Sequence, residues 1–371
     1  MKVLVTIVRI LTGLLFVFSG MVKAIDPRGL AYKMQEFFEA WSASGFMPSM
    51  MSRLNSYALT FSIIMITLEV AVGVALLLGW QKRLTVWLLT LLMIFFTFLT
   101  SYVLFTGKIR ACGCFGDCIP LTPVQTFTKD IILLTMCIFL LFTLRYIRPV
   151  AKPWINTIYL VVLVAIALSV QFRALDHLPV KDCLPFRAGN NLLELRKMPA
   201  NAIQDQYDYA FVYQKGNEKK EFRTDALPDS SWTFVERKQV LVKAGSNNVP
   251  LINDFSLTAT DGSDSTEAIL SQPGTYYLLF MREVPSAKGN WINDLRTFLD
   301  RNQGSRPVYI ITAQREAVQK FLAANQIQPT GIYITDATAI KTAARTNPAI
   351  FIMQGPVVQA KYGYADFDRI P

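Results

Sequence analysis

The sequence predicts a membrane α-helical bundle, then a small β-rich connector, then an α/β domain. Three observations predict this. Long uncharged apolar runs crowd the first half of the 371-residue chain. The second half has ordinary globular composition. Strand and helix patterns alternate in its last 120 or so residues, which is the signature of an α/β sandwich. The expected units are residues 1–150 (bundle), 151–173 (a fifth spanning helix), 174–250 (connector) and 251–371 (α/β domain).

Apolar runs of roughly 18–22 residues are long enough to cross a bilayer as helices. They fall at residues 3–22, 58–79, 84–106, 124–145 and 155–173. The first ends in Phe18-Ser19-Gly20-Met21-Val22-Lys23-Ala24, a poor cleavage site, so an uncleaved helix is expected rather than a signal peptide. Lys2 and Arg9, then Lys82 and Arg83, then Arg145, Arg148 and Lys152 mark alternate ends of these helices, with no Asp or Glu among them. The positive-inside bias then puts the N-terminus in the cytoplasm. Five crossings carry residues after about 174 to the other side, the periplasm of a bacterial inner membrane. The formal charge of +10 is largely accounted for by these flanking bases. No long Lys/Arg block or nucleic-acid motif occurs, so nucleic acid is excluded as a partner. The lipid bilayer is the first partner, and a periplasmic protein or envelope complex the second.

Two polar residues stand out. Glu69 lies inside the second apolar run, where a carboxylate is costly and ordinarily faces the bundle interior. Lys23 closes the first run and is expected to snorkel to the interface. The sharper alternative is an ion pair or proton route with Glu69, which sits nearer mid-membrane. Between them, Leu30, Met34, Phe37, Phe38 and Trp41 recur at helical spacing. The loop from Asp26 to Tyr57 therefore reads as one amphipathic helix on the membrane surface, capping the bundle or roofing a cavity over the cysteines.

Three of the five cysteines lie within seven residues: Arg110-Ala111-Cys112-Gly113-Cys114-Phe115-Gly116-Asp117-Cys118. A Cys112–Cys114 disulfide would close a tight, strained ring that glycine permits, and strained disulfides are readily reduced. Cys114 and Cys118 offer an easier pairing. Lys108 and Arg110 supply positive charge that favours a thiolate, and Arg110 and Asp117 are expected to tune the thiols. Three readings stay open: a redox-active pair, a structural disulfide, and a soft-metal site short of a fourth ligand. Cys183 follows the fifth apolar run on the same side. It is a resolving partner for Cys118 or the missing ligand. The lone histidine, His177, excludes a multi-histidine metal site, and no metal is expected. Cys137 lies inside the fourth run and reads as an inert packing residue.

Residues 1–145 resemble the DoxX/MauE-like membrane proteins. The resemblance rests on Phe18-Ser19-Gly20-Met21-Val22-Lys23 with Ile25-Asp26-Pro27, on Glu69 with Gly73 and Gly79, and above all on Cys112-Gly113-Cys114-Phe115-Gly116-Asp117 before Leu121-Thr122-Pro123. The whole chain looks like the DoxX-family proteins of Bacteroidetes-type bacteria. The resemblance implies a four-helix core and a part in disulfide formation or in maturing periplasmic partners. That core is also similar to vitamin K epoxide reductase, and by this analogy a quinone is a candidate electron acceptor. The chain departs from the reductase in having only Cys137 where a C-x-x-C is expected.

In the second half, strands are expected at residues 207–213, 219–223, 232–235 and 239–243, forming the connector. Strands at 276–281, 308–312, 331–335, 349–353 and 357–362 then alternate with helices at 288–301, 315–325 and 337–345. This order resembles the thioredoxin-like fold, and Pro348 occupies the position of its cis-proline. The C-x-x-C implied by that resemblance would lie at 283–290, yet no cysteine occurs after Cys183. Without a thiolate the domain cannot exchange disulfides itself, which leaves it a binding or structural role.

Overall fold

The computed structural model describes all residues except Arg110, Ala111, Cys112, Cys114, Asn217, Ala244, Ser246, Lys288 and Gln303, and the side chain of Leu241. Five described helices are long and apolar enough to cross a membrane: α1 (Lys2–Ala24), α4 (Ala58–Leu78), α5 (Lys82–Thr106), α6 (Pro123–Phe142) and α7 (Pro153–Asp176). They coincide with the five apolar runs to within a few residues. Their outward faces expose large side chains such as Trp87, Leu91, Phe98 and Val161, as lipid-facing surfaces do.

Small residues let α1 and α4 approach closely. A Cβ on Gly13 would lie 2.6 Å from Leu77, and one on Gly20 would lie 2.6 Å from Val70. Association of helices in lipid relies on such packing, because no hydrophobic drive separates tail from side chain. Polar contacts add α7 to the bundle: the Gln171 amide donates to the Thr67 hydroxyl at 3.1 Å. Cys137 is buried in the bundle core among Leu89, Met93 and Leu140, the packing role expected for it.

The surface segment is two helices rather than one. The first, α2 (Pro27–Ala43), is capped by Asp26, whose side chain accepts from the Gly29 amide. The second, α3 (Pro48–Ser56), follows a break in which Gly45 and Met47 take positive φ. Gly45 and Pro48 interrupt the apolar period, and Pro48 sits where a helix start tolerates it.

After α7, residues 184–195 do not form a separate connector. Phe186 and Leu192 (the latter in the one-turn helix α8, Leu192–Leu195) pack with Ile252, Phe255 and Phe280 in one core. The strands β1 (Gln206–Lys215), β2 (Glu218–Arg223) and β3 (Thr233–Lys243) form a sheet of order β2-β1-β3. This sheet is an arm, its neck closed by the Ile252 amide donating to the Leu195 carbonyl at 3.0 Å. The two short strands expected after residue 232 are one continuous strand with a bulge. Cross-strand pairing of Tyr213 with Phe234 carries it through.

The α/β unit contains the short helix α9 (Thr266–Leu270), then β4 (Thr275–Phe280), α10 (Trp291–Asn302), β5 (Val308–Thr312), α11 (Arg315–Ala324), β6 (Gly331–Ile334), α12 (Ala337–Ala343), β7 (Ala349–Gln354) and β8 (Val357–Gly363). The sheet order is β6-β5-β4-β7-β8. β4, β5 and β6 are parallel, and β7 and β8 add antiparallel. Alternate residues of β4 serve opposite cores: Tyr276, Leu278 and Phe280 face α9 and α12, while Tyr277 and Leu279 face α10 and α11. This is the layered arrangement expected from the alternating pattern, and the Asn347–Pro348 peptide is cis as the resemblance implied.

Lys23 does not snorkel. Its Nζ lies 2.6 Å from Glu69 Oε2 and 3.1 Å from Ser19 Oγ, and both charged side chains are buried. A buried carboxylate outweighs the pull of the interface on a lysine stem. Replacing Lys23 by Met or Glu69 by Leu alone should lower the thermal stability of the purified protein strongly, by about 3–5 kcal/mol. The double replacement K23M/E69L should recover most of the loss, as thermal melts of the single and double variants in one detergent will show.

Candidate functional site

The cysteine loop is held at both ends. After α5 the chain turns at Gly107, and Ile109 is buried against Phe37 of α2 and Val103 of α5. Before α6, Thr122 and Gln125 form a reciprocal capping box with Pro123 at the first helical position. Between these anchors Gly113 and Gly116 take positive φ, a conformation glycine adopts without strain. A Cβ on Gly113 would meet the Lys33 stem at 3.3 Å, so α2 roofs the loop. Phe115 packs on Phe18 of α1 and under Lys129 of α6. Cys112, Cys114 and Arg110 lie outside the described residues.

Cys118, at the end of a short 3₁₀ turn (Gly116–Cys118), forms a disulfide with Cys183, with a Cα–Cα distance of 4.9 Å. Cys183 is thus the partner of Cys118. The Cys114–Cys118 pairing is absent because the Cys118 sulfur is already bonded. The four-cysteine ligand set is lost for the same reason. Both half-cystines line a cavity of about 20 Å³ with Lys23, Asp26, Lys33 and Gly113.

An aspartate precedes each half-cystine, and each binds a base of the α/β domain. Asp117 Oδ2 accepts from Arg345 Nη2 at 2.6 Å, and Asp26 Oδ2 accepts from Arg345 Nε at 2.8 Å. Asp182 Oδ2 accepts from Lys361 Nζ at 2.6 Å. The side chains of Arg345 and Lys361 are each 6% exposed. Burial opposes the charge on both. For Arg345 the carboxylates of Asp26 and Asp117 outweigh it and hold the guanidinium above its ordinary value. For Lys361 burial wins over Asp182, and its pKa falls below the ordinary lysine value. Asp117, expected to tune the thiols with Arg110, gives its carboxylate to Arg345 instead.

Sequence reasoning missed Arg345, Lys361, Asp26 and Asp182, whose partners become neighbours only in the fold. It also passed over Lys129 and Asp130. Asp130 is buried in α6, with Oδ1 2.8 Å from Lys129 Nζ and no hydrogen-bond partner on Oδ2. Lys23, Glu69, Lys129, Asp130 and Phe115 line one cavity of about 20 Å³ beneath the cysteine loop. The available signal was a charged Lys-Asp pair in the second turn of an otherwise apolar run.

The α/β domain brings its cysteine-free site position against the end of α7. The Arg282 amide donates to Asn347 Oδ1 at 3.1 Å, so the loop after β4 meets the cis-proline turn. His177 Nδ1 lies 2.9 Å from Asp366 Oδ2, and the Tyr364 hydroxyl donates to Asp176. A cleft of about 530 Å³ there is lined by Arg28, His177, Arg282, Ser286, Asn347 and Tyr364, among others.

Comparison with known proteins finds likenesses to parts of the chain. Residues 1–143 match the family described as methylamine utilisation protein MauE. Residues 207–244, the β-sheet arm, match a domain of unknown function, DUF8463. The chain is 32% identical over 140 residues to Protein TlpB of Flavobacterium psychrophilum; the match covers 37% of this chain and 36% of that protein.

Burial first, then the bond to Asp176, raises the Tyr364 pKa from 10.0 to about 12. The folded chain therefore keeps this proton between pH 10 and about 12, where the unfolded chain loses it. The stabilisation is complete below pH 10 and is lost as the pH rises to about 12. The phenolate absorbance of the wild type minus that of Tyr364→Phe should titrate near the upper value, and a midpoint near 10 refutes the contact.

Proposed function

We propose that this protein, with its MauE-type membrane half, is a thiol–disulfide redox component of a bacterial inner membrane. It acts through Cys112 and Cys114 on partner proteins of the periplasm. One observation carries the reading: Cys118, whose disulfide partner is Cys183, lies in the same loop, four residues from Cys114, above a buried set of ionisable side chains. A disulfide with one sulfur so near Cys112 and Cys114 in sequence suits an exchange sequence, in which one pair passes electrons to the other.

The orientation rests on the basic end of the bundle. Arg9 Nη1 donates to the Arg148 carbonyl, and Lys82 Nζ donates to the Ile147 carbonyl. The three basic regions thus meet at one end, opposite the cysteine loop, and the positive-inside bias makes that end cytoplasmic. The cysteines and the α/β domain then share the periplasmic side. The domain's role in this reading is to dock on the bundle and present or recruit the partner. Quinone is the acceptor suggested by the reductase analogy.

A second reading has its own observation. Asp117 and Asp182 bind Arg345 and Lys361 beside the disulfide, so Cys118–Cys183 also serves to staple the domain to the bundle. Such a chain would be a non-catalytic subunit of an envelope assembly.

Acid quenching of cells followed by mass-tagged alkylation separates the two. The redox reading expects Cys112 and Cys114 to be found in both oxidised and reduced forms. It also expects a single Ser replacement of one to leave a mixed disulfide on the other, absent from the double variant. A pair that stays fully oxidised, with no adduct in either variant, establishes the staple.

A further inference from the structure

The Cys118–Cys183 disulfide is walled differently on its two sides. The cavity shared by both half-cystines is about 20 Å³, room for roughly one water. Cys183 also lines a second space of about 490 Å³, which Cys118 does not. This groove runs between α2 (Tyr32, Gln35, Glu36) and α12 (Thr338, Lys341, Thr342), with Cys183, Leu184 and Pro185 along it. Its volume admits a cysteine side chain with a stretch of its peptide, whereas the cavity shared by the two sulfurs does not.

From this difference we infer that a partner protein's dithiol attacks the chain at Cys183, from this groove, and that Cys118 is the leaving sulfur. The inference rests on the redox reading and changes one part of it: the partner's electrons enter at Cys183 and Cys118, and Cys112 and Cys114 exchange with that pair rather than with the partner directly. Thiol–disulfide exchange needs a thiolate in line with the S–S bond, behind the sulfur it attacks, so access decides which sulfur reacts. Of the two spaces, the groove is the one large enough to admit a partner's thiolate, and Cys183 is the half-cystine that lines it.

The step balances without an outside reagent. The partner's thiolate forms a bond to Cys183 Sγ as the Cys118–Cys183 bond breaks, and Cys118 leaves with the electron pair and takes a proton. The partner's second thiolate then attacks its own sulfur in the mixed disulfide. It closes the partner's disulfide and releases Cys183 as a thiolate. The partner is oxidised by two electrons, and Cys118 and Cys183 are reduced. The partner class is a periplasmic protein with a flexible, cysteine-bearing segment.

Reduced glutathione tests the point of attack on the full-length protein in detergent. Cys112→Ser and Cys114→Ser are included, so that the result is independent of whether those two cycle in cells. Iodoacetamide quenching and peptide mass spectrometry then read which sulfur carries glutathione. The expected product has glutathione on Cys183 and the alkyl group on Cys118, in about ten-fold excess over the reverse. Thr342→Trp, which fills the groove, should slow the reaction by about ten-fold with the disulfide still formed. Equal labelling, an excess on Cys118, a rate unchanged by Thr342→Trp, or no adduct where dithiothreitol opens the bond would each overturn the inference.

Discussion

The arrangement of membrane and soluble halves depends on one buried guanidinium. Arg345 is almost wholly removed from solvent, and a buried cation is tolerable only when paired and hydrogen-bonded. Its planar fork meets two carboxylates at once, Asp26 through Nε and Asp117 through Nη2, while Nη1 donates to the Lys341 carbonyl of the preceding helix α12. Asp26 is also the N-cap of α2, and Asp117 precedes a half-cystine. A single side chain thus fixes the start of the roofing helix, the cysteine loop and the α/β domain relative to one another. A lysine could not replace it, because a point charge cannot serve two carboxylates on separate elements in one plane. Lys361 with Asp182 repeats the device on the other half of the disulfide.

Within the bundle the same electrostatic logic operates without water. Two charged groups on neighbouring helices find each other because no alternative solvation exists at their depth. Lys23 and Glu69 satisfy this with Ser19 as a further acceptor. Asp130 is the exception, since one of its carboxylate oxygens has no hydrogen-bond partner although the side chain is buried. The pair and the exception share a cavity directly beneath Phe115, so the polar interior of the bundle lies against the underside of the cysteine loop. Buried ionisable groups in a membrane ordinarily mark function rather than stability.

Legibility in the sequence followed the range of the forces involved. The five spanning helices were readable because bilayer thickness sets their length and excludes charge. The strands of the α/β unit were readable because full burial on both faces makes short apolar runs, as in residues 308–312. Residues 184–195 were misplaced because their apolar side chains, Phe186 and Leu192 in the core with Leu193 and Leu195 packed against it, are split by residues 187–191 and follow no helix or strand period. Lys23 was misread because snorkelling is the rule for a helix-end lysine until a buried carboxylate stands within reach. The pairs of Arg345 span 319 and 228 residues of sequence, so no local pattern announces them. The position of Pro348 was legible, but the use of the neighbouring Arg345 as an anchor was not.

The absence of cysteine after Cys183 acquires a physical sense from this docking. A thioredoxin-like domain that exchanged disulfides would need its loop after β4 open to a partner. Here that loop joins Asn347 and stands at the rim of a cleft closed on one side by Arg28 and by Asp176 and His177 at the end of α7. Contacts from Tyr364 and Asp366 hold the domain there. Thiol chemistry placed in that cleft would face the membrane end rather than a freely diffusing protein. Placing the thiols in the loop and in the segment after α7 instead puts them at the margin between bundle and domain, beside a wide groove. The domain then contributes a wall and two buried cations rather than a nucleophile.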